Sequence, residues 1–149
     1  MRAPRTIALS LAISVSLTAL LVTPGAAAVR VAKRRERLLH LVNDYRLAHG
    51  ERKLREIASL DDLAQQHSLK MASQRTLFHS SDLSSRLRTY SATSWGENVG
   101  YGSTVRQVFV LWTRSSPHRA NLLNRKFRKV GIGVVSSGGW LWVTMIFYG

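Results

Sequence analysis

"VGIGVVSSGGWLWVTMIF", residues 130–147, decides the fold class. Val130 to Val135 and Trp140 to Phe147 are rich in β-branched and aromatic residues, and "SSGG" between them reads as a four-residue hairpin turn. Two antiparallel strands therefore close the chain. Upstream, the apolar spacing is helical. Leu38, Leu41, Val42, Tyr45 and Ala48 form one stripe, which Gly50 ends. A second helix begins at "SLDD", with Ser59 as cap and Asp62 as the acidic partner of a capping box, and it buries Leu60, Leu63, Ala64, His67 and Met71. A third runs from about Thr104 to Arg114, with Val105, Val108, Phe109 and Trp112 on one face, and Pro117 prevents its continuation past Ser116. The polar segment Thr76 to Thr93 reads as a loop with one short helix around Leu83 to Leu87, and its length marks it as a carrier of function. Helices first and strands last predict an α+β fold.

The 149 residues allow one domain with a modest core. Its N-terminal part has another purpose. Arg2 and Arg5 precede an apolar run from about Ile7 to Val22, followed by Pro24 and Ala26-Ala27-Ala28, the layout of a secretory signal peptide over residues 1–28 with cleavage just before Val29. An uncleaved membrane anchor is the competing reading, because the run lies just under bilayer-spanning length. Residues 29–37, including "RVAKRRER", read as an exposed basic lead-in to the first helix, and the folded domain occupies 38–149.

Cysteine is absent, so an exported protein of this size must be held by core packing without disulfides. A hydrophobic content of 45%, with four Trp and four Tyr, excludes a disordered chain. Lys and Arg number 22 against 8 acids, and only Arg2 and Arg5 leave with the leader. Such a field draws anionic membrane or cell-wall surfaces, and nucleic acid without sequence preference. Solvated arginine-rich faces with no polyanionic partner would produce the same excess.

Three polar residues outside the helical stripes are candidates for a shared site: His79 in "LFHSSD", Glu97 in "WGENVGYG" and His118 in "SSPHRANLL", all read as lying in loops or at helix ends. Two imidazoles and a carboxylate can hold a divalent metal such as zinc with an open position, or carry out acid–base work unaided. Spacing alone is weak, for His79 and His118 do not form a compact motif of the H-E-x-x-H kind. Each also reads as a surface or capping histidine, and His67 as a hydrogen-bonded core residue. The glycines of "GENVGYG" suit tight backbone turns rather than a phosphate cradle, because no P-loop lysine follows. Asn98 and Asn121 read as amides satisfying buried backbone groups. Trp112, Trp140 and Trp142 read as core, with one at a rim able to stack on a ligand.

"LVNDYR", "DLAQQHSLKMA", "FHSS", "GENVGYG", "LWTRSSPHRANLL" and "VGIGV" occur in an order that resembles bacterial members of the CAP superfamily, the cysteine-rich secretory protein, antigen 5 and pathogenesis-related 1 group. The resemblance covers about Leu38 to Gly149. It implies an α-β-α sandwich, a small antiparallel sheet flanked by helices, with a cleft lined by a His-Glu-Glu-His tetrad that often binds zinc. His79, Glu97 and His118 match three members. The second glutamate is replaced by Ser115, which weakens any hydrolysis that needs two carboxylates. The resemblance thus points to a secreted, non-catalytic binding module holding a metal and a lipid or other small ligand. The alternative is a secreted hydrolase: a metal-independent ribonuclease with Glu97 as base, His118 as acid and Arg119 in support, or a metal-dependent peptidase.

Overall fold

A computed structural model of the chain describes residues 24–149. The leader and the apolar run expected at its N-terminus lie outside these residues, apart from the stretch after Pro24. Five helices surround one four-stranded sheet. The helices are α1 (Pro24–Ala48), α2 (Ala58–Gln74), α3 (Leu83–Leu87), α4 (Val105–Arg114) and α5 (Ser116–Leu122), and the strands are β1 (Arg55–Glu56), β2 (Trp95–Gly102), β3 (Lys129–Ser137) and β4 (Trp140–Tyr148).

The predicted hairpin forms, with a tighter turn. Ser136 and Ser137 pair with Leu141 and Trp140, so only Gly138 and Gly139 turn the chain, at φ 59° and 79°. Two successive left-handed residues match the twist of the flanking strands, and glycine adopts them without a Cβ penalty. β4 then pairs antiparallel with β2, and β3 pairs parallel with the two-residue β1, giving the order β1-β3-β4-β2.

The strand β2 corrects the reading of "WGENVGYG" as loop. Its glycines serve close packing instead of turning. A Cβ on Gly96 would stand 2.7 Å from Asn121 Oδ1, and one on Gly100 would stand 2.5 Å from Val108 Cγ1. On the other face of the sheet a Cβ at Gly133 would stand 2.2 Å from the Ala64 carbonyl oxygen. Helix α2 therefore lies directly on the β3 backbone.

Strand alternation separates two cores. Val130, Ile132 and Val134 of β3, with Val143, Met145 and Phe147 of β4, face α1 and α4 through Leu38, Val42, Val108 and Trp112. Ile146 and Tyr148 face Leu60 and Ala64 of α2 and Leu83 and Leu87 of α3. The result is the expected α-β-α sandwich. With no cysteine, apolar burial supplies the stability, at about 1.5–3 kcal/mol for each fully buried large side chain.

Two helix starts differ from expectation. The basic segment 29–37 is helical, because α1 runs without interruption from Pro24 and no breaker stands between Gly25 and Ala48. The expected processing point after Ala28 lies within this helix. Ser59 does not cap α2. Ile57 holds that position without a side-chain cap, so the expected capping box with Asp62 does not form, and the buried acid of the first turn, Asp61, makes tertiary contacts instead. Its Oδ1 accepts the Ile132 amide at 2.7 Å and its Oδ2 meets Arg35 of α1 at 3.4 Å. Burial pushes the Asp61 carboxyl up to about 6; the Ile132 amide and Arg35 oppose this and nearby Glu56 adds to it. Arg46, fully buried at the end of α1, donates to the carbonyls of Arg52 and Leu122 at 2.8 and 2.7 Å, tying α1 to the end of α5. Among the described residues no helix is long and apolar enough to cross a membrane.

Candidate functional site

β2 is an edge strand, so its alternate residues serve the two layers of the sandwich and its free edge lies beside both. Glu97 points toward the α2 layer and Asn98 toward α5. The loop after α2 passes beside Glu97. His67 fixes that loop, its Nε2 standing 2.8 Å from the Phe78 carbonyl. His67 is thus a buried hydrogen-bonded residue, as expected, and it positions the histidine that follows.

His79 Nδ1 lies 2.8 Å from Glu97 Oε1. Ser80 donates its amide to the same oxygen at 2.9 Å and its hydroxyl to Oε2 at 2.5 Å. The Glu97 side chain is 4% exposed, against 61% for His79. Three donors converge on this buried carboxylate, which compensates its removal from water. With Nδ1–H donating, a neutral His79 imidazole keeps the Nε2 lone pair for the solvent side. Ser80 was not a candidate in the sequence, although "HSS" places it beside His79.

His118 belongs to α5. Thr104 caps α4 through its side chain, and that helix ends at Ser115, beyond which Pro117 occupies the first turn of α5. The break places Ser115 Oγ 2.8 Å from His118 Nδ1. The His118 carbonyl accepts from Asn98 Nδ2 at 3.1 Å. Asn121 Nδ2 donates to the Glu97 carbonyl at 3.1 Å and to Asn98 Oδ1 at 2.9 Å. Asn98 and Asn121 are therefore backbone-satisfying amides, as read from the sequence, and they fasten α5 to β2. Trp112 completes the joint by donating Nε1–H to the Val99 carbonyl at 2.8 Å. Burial, together with the charge of His79, holds the His118 imidazole below its ordinary range.

The structure brings His79 and Glu97 into direct contact, and it holds His118 on α5, the helix that Asn98 and Asn121 fasten to β2. Arg119 is exposed, and its guanidinium reaches the Thr113 carbonyl at 3.5 Å instead of Glu97. Among the described residues no three His, Cys, Asp or Glu side chains group as a metal cage. Both Glu97 oxygens are already engaged, which leaves the two Nε2 atoms as the available imidazole donors. Ser80 also lines a polar hollow of about 270 Å³ with His67, Lys70, Phe78, Asp82 and Arg86.

The family model described as the cysteine-rich secretory protein family, CAP, matches residues 39–147. Among solved structures, an extracellular protein containing an SCP domain from Bacillus anthracis is 26% identical with a TM-score of 0.74, over 85% of this chain and 44% of that one. An outer surface protein from Borrelia burgdorferi is 19% identical with a TM-score of 0.71, over 78% of this chain and 92% of that one. A cysteine-rich secretory protein from Staphylococcus aureus is 24% identical with a TM-score of 0.66, over 80% of this chain and 39% of that one. The last two likenesses concern the fold alone. The chain spans less than half the length of the Bacillus and Staphylococcus proteins. No curated protein matches it in sequence.

Proposed function

The chain belongs to the cysteine-rich secretory protein (CAP) family, and from that premise we propose that it works outside the cell as a binding module whose His79 and His118 imidazoles take a divalent metal such as zinc. An extracellular site of action is supported by the leader-like composition of residues 1–28 and by the similar Bacillus protein, described as extracellular.

The observation that carries the binding reading is the state of the carboxylate. Glu97 has three donors on its two oxygens, and the place of a second glutamate is held by a serine bonded to His118. A general base must reach a substrate proton, and a carboxylate committed in this way serves to orient an imidazole instead. Each histidine is thereby anchored through Nδ1 and presents Nε2. Depression of the His118 pKa favours the neutral imidazole that a metal requires. Two imidazoles completed by water make an open site able to receive an anionic or carbonyl oxygen of a ligand.

The test pairs binding with turnover. Zinc titration of the purified protein should raise its melting temperature, while RNA and casein should remain uncleaved by the parent protein. Turnover that disappears in Glu97→Gln would replace this reading with the hydrolase.

A further inference from the structure

A second site lies farther along β2. Tyr101 is four residues beyond Glu97 on the same sheet face, about 13 Å away at the rise of an extended strand. It pairs in register with Trp142, and Trp140 shares their face two residues earlier on β4. The Tyr101 ring stacks on Trp140 with centroids 4.8 Å apart at 19°, and it meets Trp142 at 4.6 Å. Trp142 is buried. Trp140, read from the sequence as core, is 41% exposed. Arg75 and Leu77, just past α2, and Ser137 beside the hairpin turn complete a cavity of about 660 Å³ with these rings. None of His79, Glu97 and His118 lines it.

Arg75 gives the cavity its sign. It holds a left-handed φ of 50°, a conformation uncommon for a residue with a Cβ, and its amide bonds the Met71 carbonyl to end the helix. Among the described residues its guanidinium has neither a carboxylate partner nor a hydrogen bond. A planar, fork-shaped cation at the rim of an aromatic platform has two complementary partners, a carboxylate and a ring face.

We propose that this cavity binds an acidic polysaccharide, a chain of pyranose rings bearing carboxylates. A pyranose presents a face of C–H groups that packs on an exposed indole, and its hydroxyls need polar neighbours such as Ser137. Its carboxylate suits Arg75, and the formal net charge of +14 draws a polyanion to the surface. A lipid tail would require a dry enclosure, whereas Trp140 and Leu77 are 41% and 45% exposed and a guanidinium stands at the rim. The proposal is independent of metal at the imidazole pair.

The probes are tetragalacturonate, its neutral methyl ester, and vesicles of phosphatidylglycerol and phosphatidylcholine, with tryptophan fluorescence and equilibrium dialysis as readouts on the full chain. The acidic tetramer should bind more tightly than its ester, without added metal. Trp140→Ala should weaken both by about tenfold, as loss of one stacking face implies. Arg75→Gln, a substitution at an exposed position, should weaken the acid by about tenfold and leave the ester unchanged. Parent-like affinity for the acid in either variant would overturn the proposal. Binding of the vesicles with no binding of the tetramer would also overturn it and make the patch an interfacial anchor.

Discussion

Ser115 Oγ lies 2.8 Å from His118 Nδ1, at the position where the family resemblance calls for a glutamate. The hydroxyl is placed to fix the ring, not to bind metal itself. Partners of this kind orient an imidazole and typically account for about 10–100-fold in metal affinity. Ser115→Ala should therefore leave the fold intact while raising the zinc concentration needed for half-maximal stabilisation by about tenfold. Thermal shift measurements across a zinc series check this.

Glu97 is the buried counterpart on the other side of β2. Glu97→Gln keeps one acceptor oxygen for His79 and the Ser80 amide and turns an NH2 group toward the Ser80 hydroxyl, so the bond which that hydroxyl donates to the carboxylate is lost. The expected cost is about 1–3 kcal/mol, read from urea denaturation. The His79 ring should become more mobile in the same variant, seen as broadened imidazole resonances.

Asp61 governs a pH dependence of opposite sign to that of His118. Its carboxyl is pushed up to about 6 in the folded protein by burial, above its unfolded value, so its contribution is fully present below the unfolded pKa and is lost as pH rises through about 6. For His118, lowered in the folded state, the contribution is present above the unfolded pKa and lost as pH falls through the folded one. Asp61→Asn keeps an acceptor for the Ile132 amide and removes the titration. Relative to this variant, the parent should lose about 2 kcal/mol between pH 4 and pH 8, measured by denaturation at each pH. A constant difference between the two would contradict the assignment.

Gly133 tests how closely α2 lies on the sheet. A Cβ there meets the Ala64 backbone at 2.2 Å, and backbone cannot rotate aside. Gly133→Ala should cost about 2–3 kcal/mol by displacing the helix, seen as a lowered melting temperature.

The sandwich was legible where local pattern and tertiary role agree. The stripe from Leu38 to Ala48, the short helix at Leu83 to Leu87 and the Gly138–Gly139 hairpin are such places. β2 was hidden because Gly96, Gly100 and Gly102 weaken a strand locally, and the first two are required only by Asn121 and Val108 pressing on it from another layer. β1 is two residues long and has no period to read. Within the site, His79, Glu97 and His118 could be named from chemistry and resemblance. The roles of Ser80 and Ser115 depend on a carboxylate and a ring that only folding brings beside them.

Whether His79 and His118 act as a pair is decided by one series: melting temperature against free zinc at neutral pH for the parent, His79→Ala, His118→Ala and His67→Ala proteins. The parent should gain stability that grows with zinc, and either site variant should lose nearly all of that gain, because a single imidazole holds the ion weakly. His67→Ala should lower basal stability and retain a zinc response, since its ring is bonded to the Phe78 carbonyl. Zinc stabilising His79→Ala and His118→Ala as much as the parent would contradict a shared site.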